Sequence, residues 1–150
     1  PKADGTITGK QKQVLVEMGE WLAENGEAIY GTRPWKIHAE GSLDHIVSGG
    51  KHSKWVFNQC GPEDIRFTRK GNDLYAIALG WPEDGRLKIE SLGLQTPISD
   101  KGIESITLLG HKGDLRWTRN RAGLTVQLPK EKTNEIACAL KISTDGLLVE

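Results

Sequence analysis

The chain has 150 residues, 37% of them hydrophobic and 27% charged, enough for one domain with a sizeable core or one domain plus an appendage. Lys plus Arg and Asp plus Glu both number 20, giving a formal net charge of zero, which removes the overall electrostatic case for nucleic acid or an anionic membrane as partner. No apolar run approaches the length that spans a bilayer, and two cysteines, Cys60 and Cys138, are too few for a disulfide framework.

Residues 1–7 carry turn chemistry, with the Asp4-Gly5 pair at their centre. Thr8 reads as an N-cap, and Gln11 three residues on completes a capping box. A helix follows. Val14, Leu15, Met18, Trp21 and Leu22 fall at i, i+1, i+4, i+7 and i+8, which at about 100° per residue places them on an arc of roughly 120°. Lys12, Gln13, Glu17, Glu20 and Glu24 lie outside that arc. Asn25-Gly26 is the expected stop, with Gly26 supplying a left-handed cap. One amphipathic helix cannot bury its stripe on itself, so it needs either the downstream residues or another domain.

Residues 31–53 read as a connector: Pro34 blocks further helix, and Gly41, Gly49 and Gly50 punctuate the rest. His38, His45 and His52 lie here at intervals of seven. Zinc sites favour closer pairs, often with Cys, so these read as solvated loop histidines rather than metal ligands. From Trp55 onward the period is two. Ile65 and Phe67 share one face of a first strand, Lys70-Gly71-Asn72-Asp73 forms a hairpin turn, and residues 74–79 are a nearly continuous apolar run that suits an inner strand. Strands follow at 86–91, 104–109, 115–117, 123–128 and 136–142, with a clipped one at 147–149. Seven or eight short strands with no helical crossover between them predict an antiparallel β-sandwich, preceded by one amphipathic α-helix.

Little in the chain carries chemistry. Glycoside hydrolysis generally requires two carboxylates facing each other across the bond. Here Glu20 and Glu24 fall on the polar side of a helix, Asp73, Glu83, Asp84 and Asp114 in turns, and Glu90 and Glu104 on the polar side of strands. No Gly-x-Ser-x-Gly elbow or phosphate-binding loop is present, and neither cysteine has the context of a reactive thiolate. Cys138, inside IACALKI, reads as a buried thiol. Five tryptophans remain: Trp21, Trp35, Trp55, Trp81 and Trp117. Any of them could stack on a sugar ring, but Trp21 and Trp117 read as core, while Trp35 and Trp81, each beside a proline, suit a domain seam.

An ordered series of short motifs resembles the α-L-fucosidases of glycoside hydrolase family 29. PKADGTI at 1–7 looks like the loop leaving the last strand of that family's catalytic barrel. GEWL at 19–22, NGEAIY at 25–30 and GTRPW at 31–35 look like its last helix and exit. DIRFT at 64–68, LYA at 74–76 and GWP at 80–82 resemble the first strands of its C-terminal sandwich. LLG at 108–110, LRW at 115–117, GLTVQLP at 123–129 and LKI at 140–142 continue the order. The resemblance implies three parts: the last loop and helix of a (β/α)8 barrel at 1–35, a connector at 36–54, and a C-terminal β-sandwich at 55–150. It implies a parent that is a retaining exo-glycosidase releasing terminal α-L-fucose, with its Asp nucleophile and Glu acid/base on the barrel upstream.

No catalytic, substrate-binding or metal residue is carried over to this chain, and no cofactor is implied. The expected partners are the absent barrel and, in the parent, a fucosylated glycan, with no nucleic acid and no membrane. The opening without Met and the ending at LLVE read as part of a longer protein, so compartment stays open. The chain alone is expected to be inactive and to support the barrel. The alternatives are a carbohydrate-binding module, which would show an open platform of coplanar aromatics, and a sandwich used for subunit contact.

Overall fold

The computed structural model describes residues 3–42, 60–99, 102–146 and 148. Helix α1 (Gly9–Asn25) starts as its sequence requires: the Thr8 hydroxyl accepts from the Gln11 amide while the Gln11 side chain accepts from the Thr8 amide. Its end differs from expectation. Gly26 is right-handed (φ −60°) and opens a short 3-10 turn, Gly26–Ala28, that prolongs the chain's course past Asn25. The left-handed glycine comes later, at Gly31 (φ 70°), where the chain turns away.

Among the described residues eight strands follow: β1 (Arg33–Glu40), β2 (Ile65–Lys70), β3 (Asp73–Ala78), β4 (Arg86–Ile89), β5 (Ile103–Leu108), β6 (Arg116–Asn120), β7 (Gly123–Gln127) and β8 (Cys138–Thr144). They form a five-stranded sheet in the order β1-β2-β3-β8-β5 and a three-stranded sheet in the order β4-β7-β6. Every named pairing is antiparallel. The predicted sandwich is therefore correct, with one strand more at its front. Residues 33–40, read from the sequence as connector, are β1. Pro34 is admissible there because β1 is the sheet's edge, where one side of the strand needs no donor. An irregularity between Pro34 and Ala39 shifts the register against β2.

The β2–β3 hairpin closes through Gly71-Asn72, with Lys70 opposite Asp73. Gly71 has φ 59° and no described non-glycine residue has positive φ, the signs expected of a type II′ turn. Asp73, expected in the turn, thus begins β3. After β3 every connection except the β6–β7 hairpin changes sheet, and the inward residues of both sheets meet in one core. Ile65, Phe67, Leu74, Leu140 and Ile142 supply one side, and Leu87, Ile89, Leu124 and Val126 the other. Close packing is tight at the start of β7: a Cβ on Gly123 (φ 140°) would stand 2.6 Å from the Ile89 carbonyl oxygen, so only glycine lets β7 approach β4 there.

The five-stranded sheet is buried on both faces at its centre, which explains the unbroken apolar run of β3. Leu74, Ala76 and Ala78 face the sandwich core, whereas Tyr75 and Ile77 face outward and form a second, smaller cluster with Ala28 and Ala139. Trp21, near the C-terminal end of α1, packs on that cluster. Its indole Nε1 donates to the Ala137 carbonyl at 2.9 Å. Thr68 Oγ1 donates to Ala28 O at 2.6 Å, fixing the 3-10 turn to the same face. Ile136, expected on the inner side of the last strand, precedes β8 and is exposed, because pairing starts only at Cys138. Leu148 forms an isolated bridge with Ser99; the rest of the expected strand at 147–149 lies outside the described residues.

Candidate functional site

Three places on the molecule have the makings of a site. The first is α1. Its C-terminal end is tied down, and among the described residues nothing covers the rest of the apolar stripe: Val14, Leu15 and Met18 are 54%, 57% and 52% exposed. Ile7 lies beside Val14 and Leu15 and extends the patch. Of the two covers open to the stripe, the described downstream residues provide none for Val14, Leu15 and Met18, while Trp21 and Leu22 are half-buried.

The second is a polar cluster where the 3-10 turn meets the outer face of β3 and β8. The Tyr75 hydroxyl donates to Glu27 Oε1 at 2.9 Å. Lys141 Nζ approaches the same oxygen at 2.6 Å and Asp73 Oδ2 at 3.2 Å. Ser143 Oγ donates to Asp73 Oδ1 at 2.7 Å. Lys141 and then Tyr75 hold the Glu27 carboxyl below the usual range. Burial, reinforced by the Glu27 carboxylate, pushes the Tyr75 phenol up to about 12. The Glu27 hydrogen bond in turn raises Lys141. All these shifts favour the species present at neutral pH: a carboxylate, a phenol and an ammonium. Such a cluster locks the turn to the sheet and leaves no group poised for proton transfer near pH 7.

The third is the outer face of the three-stranded sheet. Leu87, Ile89, Leu124 and Val126 point to the core, so the alternate residues Arg86, Lys88, Thr125 and Gln127 point out. The register places Arg86, Gln127 and Arg116 side by side across three strands, and Lys88, Thr125 and Thr118 on the next outward rung. An open depression of about 660 Å³ lies over this face, and Leu115 and Trp117 also line it. Lys88 is engaged by Glu90 at 2.6 Å.

The residues singled out in the sequence are dispersed. Trp35 is buried, its ring edge-on to Phe67 with centroids 5.8 Å apart, and Trp81 is half-buried against the same core. Trp117 departs from its expected place in the core and is 36% exposed. It pairs with Val126 and so is turned inward, but β6 is an edge strand and no further strand among the described residues closes over the ring. His38 is exposed on β1 rather than in a loop, while Trp55, His45 and His52 lie outside the described residues. No disulfide joins Cys60 to Cys138. Cys138 is buried, and burial pushes its thiol up to about 11, the setting of an unreactive cysteine.

Two carboxylates with structural duties went unnoticed in the sequence. Buried Asp64 accepts from the Gly61 amide at 3.0 Å and from Ser42 Oγ at 3.3 Å. Glu40 accepts from the amides of Glu90 and Ser91 at 2.9 and 2.7 Å, capping the 3-10 turn Glu90–Leu92. Arg119 does the reverse, donating to the carbonyls of Leu92, Gly93 and Thr96. The signal for each would have been a charged residue beside a glycine-rich turn that needs its backbone groups satisfied. Among the described residues no group of His, Cys, Asp and Glu is arranged to hold a metal ion, and no helix is long and apolar enough to cross a membrane.

This is the architecture of an antiparallel two-sheet sandwich domain with a helix attached by one end. The chain belongs to the alpha-L-fucosidase C-terminal domain family, which it matches over residues 58–143, more than half its length. It is 35% identical to the tissue alpha-L-fucosidase of Homo sapiens over 131 residues, covering 87% of this chain and 23% of that protein. It is 32% identical to the alpha-L-fucosidase of Branchiostoma floridae over 139 residues, covering 92% and 25%. The crystal structure of Thermotoga maritima alpha-fucosidase superposes with a TM-score of 0.67 at 30% identity, over 95% of this chain and 28% of that one. The chain thus spans about a quarter of the length of the larger fucosidases it matches.

Proposed function

We propose that this chain is the C-terminal, non-catalytic portion of an α-L-fucosidase, and that it buttresses a catalytic barrel lying before it in sequence. The observation that carries the reading is the helix. An apolar stripe held at one end by Trp21 and bare from Ile7 to Met18 is a half-made interface, and exposed apolar surface of this kind seeks a partner. The matched relatives, three to four times longer by the share covered, are of a size to supply one. In this reading the barrel-derived piece ends near residue 31 and the sandwich begins at β1. The parent acts on terminal α-L-fucose of glycans through carboxylates outside this chain. No residue here is assigned a catalytic role.

A sugar-stacking module is the less favoured reading. It calls for a platform of two or more coplanar exposed aromatics; Trp81 is packed on the core, and no second aromatic lines the depression beside Trp117 among the described residues.

The test compares two proteins: this chain, and the chain extended through the coding region upstream of Pro1. The extended protein is expected to hydrolyse an aryl α-L-fucoside and the short one to leave it intact. The double substitution Leu15→Gln/Met18→Gln should destabilise the extended protein only. Turnover by the short chain, or equal stability of the extended protein with and without the substitutions, would overturn the proposal.

A further inference from the structure

We infer that the outer face of the three-stranded sheet is a binding surface for an acidic glycan, one carrying carboxylate or sulfate groups. Arg86 and Arg116 occupy one rung of the sheet with Gln127 between them. Two strand spacings separate their backbones, roughly 10 Å. Among the described residues neither guanidinium has a carboxylate partner, and no Asp or Glu lines the depression above them. Two unneutralised cations on a common face are a standing positive potential, which an anion relieves. Guanidinium forks match the planar oxygens of carboxylate and sulfate with paired hydrogen bonds.

The rest of the lining determines which polyanion fits. Thr118, Thr125 and Gln127 offer hydroxyl and amide groups in the same depression, suited to the dense hydroxyls of a sugar chain. Trp117 is the single aromatic in that lining, turned inward at the edge strand, and one ring falls short of the successive stacking platforms that single-stranded nucleic acid exploits. The charge is also local, because the whole chain is neutral.

The position of the face makes this separable from the buttress reading, on which it rests only for the expectation that the relevant polymer is a glycan. Helix α1 and the 3-10 turn after it sit on the outer face of the five-stranded sheet, through Trp21 and Ala28. The three-stranded sheet lies across the sandwich core from it. A domain docked along the helix therefore leaves the basic face open to solvent.

The test is isothermal titration of the 150-residue chain at low ionic strength with an oligogalacturonate, a heparin-derived hexasaccharide, a neutral cello-oligosaccharide and a single-stranded oligodeoxynucleotide. Binding of the oligogalacturonate or the heparin hexasaccharide, weakening as salt is added, is expected, and the stronger of the two identifies the anionic group. Arg86→Ala/Arg116→Ala should weaken it about tenfold or more, with the thermal midpoint unchanged because both side chains are exposed. Arg86→Lys/Arg116→Lys keeps the charge but loses the fork, and should fall between the wild type and the alanine pair. Four results would overturn the inference: no binding of either acidic glycan, equal affinity in the alanine pair, equal affinity for the neutral oligosaccharide, or tighter binding of the oligonucleotide. Each of these leaves the helix experiment above unaffected.

Discussion

Leu124 and Val126 are sealed at 0% exposure between the two sheets, whereas Val14 and Leu15 on α1 stand more than half exposed. The side chains are of the same kind, and the difference lies in what each backbone brings opposite them. A sheet in a sandwich meets a second sheet from the same chain, so β7 finds Leu87 and Ile89 on β4 beside it and the five-stranded sheet above. A helix has only the face it touches, and α1 meets the sandwich over its last turn, where Trp21 and Leu22 are half-buried and Asn25 is buried, and through the 3-10 turn that follows. The sandwich is complete in itself and the helix is complete only at one end. This contrast distinguishes residues that hold this domain together from apolar residues that the domain leaves exposed.

The contrast can be broken at its strongest point first. Leu140→Ala in the centre of the five-stranded sheet removes a fully buried side chain, and should cost about 2–5 kcal/mol, read as a lower urea midpoint. A cost near zero would mean that the core is not the closed unit described. Trp21→Ala should cost less, about 1–3 kcal/mol, by deleting a half-buried aromatic and its hydrogen bond. Its signature is regional: amide exchange should accelerate along α1 while β3 and β8 stay protected.

A smaller effect should appear in alkali. The Tyr75 phenol is pushed up to about 12 in the folded chain against 10 when unfolded. Between those values the unfolded chain has lost the proton that the folded chain keeps, so stability falls as pH rises from about 10 to 12. Lys141, raised by Glu27, acts in the same direction above its ordinary 10.5. Urea midpoints measured across that range should decline, and the decline should be shallower in Tyr75→Phe. The smallest effect belongs to the helix stripe: Leu15→Gln/Met18→Gln in this chain should move stability by no more than about 0.5 kcal/mol. A larger loss would show that the stripe already has a partner within the chain.

Much of this fold was legible because strands with one buried face write their period into the sequence. Leu87, Ile89, Leu124 and Val126 alternate and pack as alternation demands. The Thr8–Gln11 capping box was equally local and equally legible. What escaped depends on neighbours distant in sequence. β1 hid behind Pro34, since only the strand order reveals an edge where proline is tolerated. Trp117 was misplaced because an inward-facing residue on an edge strand lacks the cover that an inner strand has. The Arg86–Gln127–Arg116 rung was invisible for the same reason. Each residue reads as the polar side of its own strand, and only the β4-β7-β6 order makes them adjacent.

The hydrogen bond from Trp21 to Ala137 spans 116 residues, and that separation has a temporal meaning. On a ribosome adding about 5–20 residues per second, the helix emerges roughly 6 to 23 s before the strand it leans on. During that interval β3 lacks its central neighbour β8, the five-stranded sheet cannot close, and the indole has nowhere to dock. Were a domain already folded ahead of α1, it would have first claim on the apolar face, and the sandwich, finishing later, would take the end that is left.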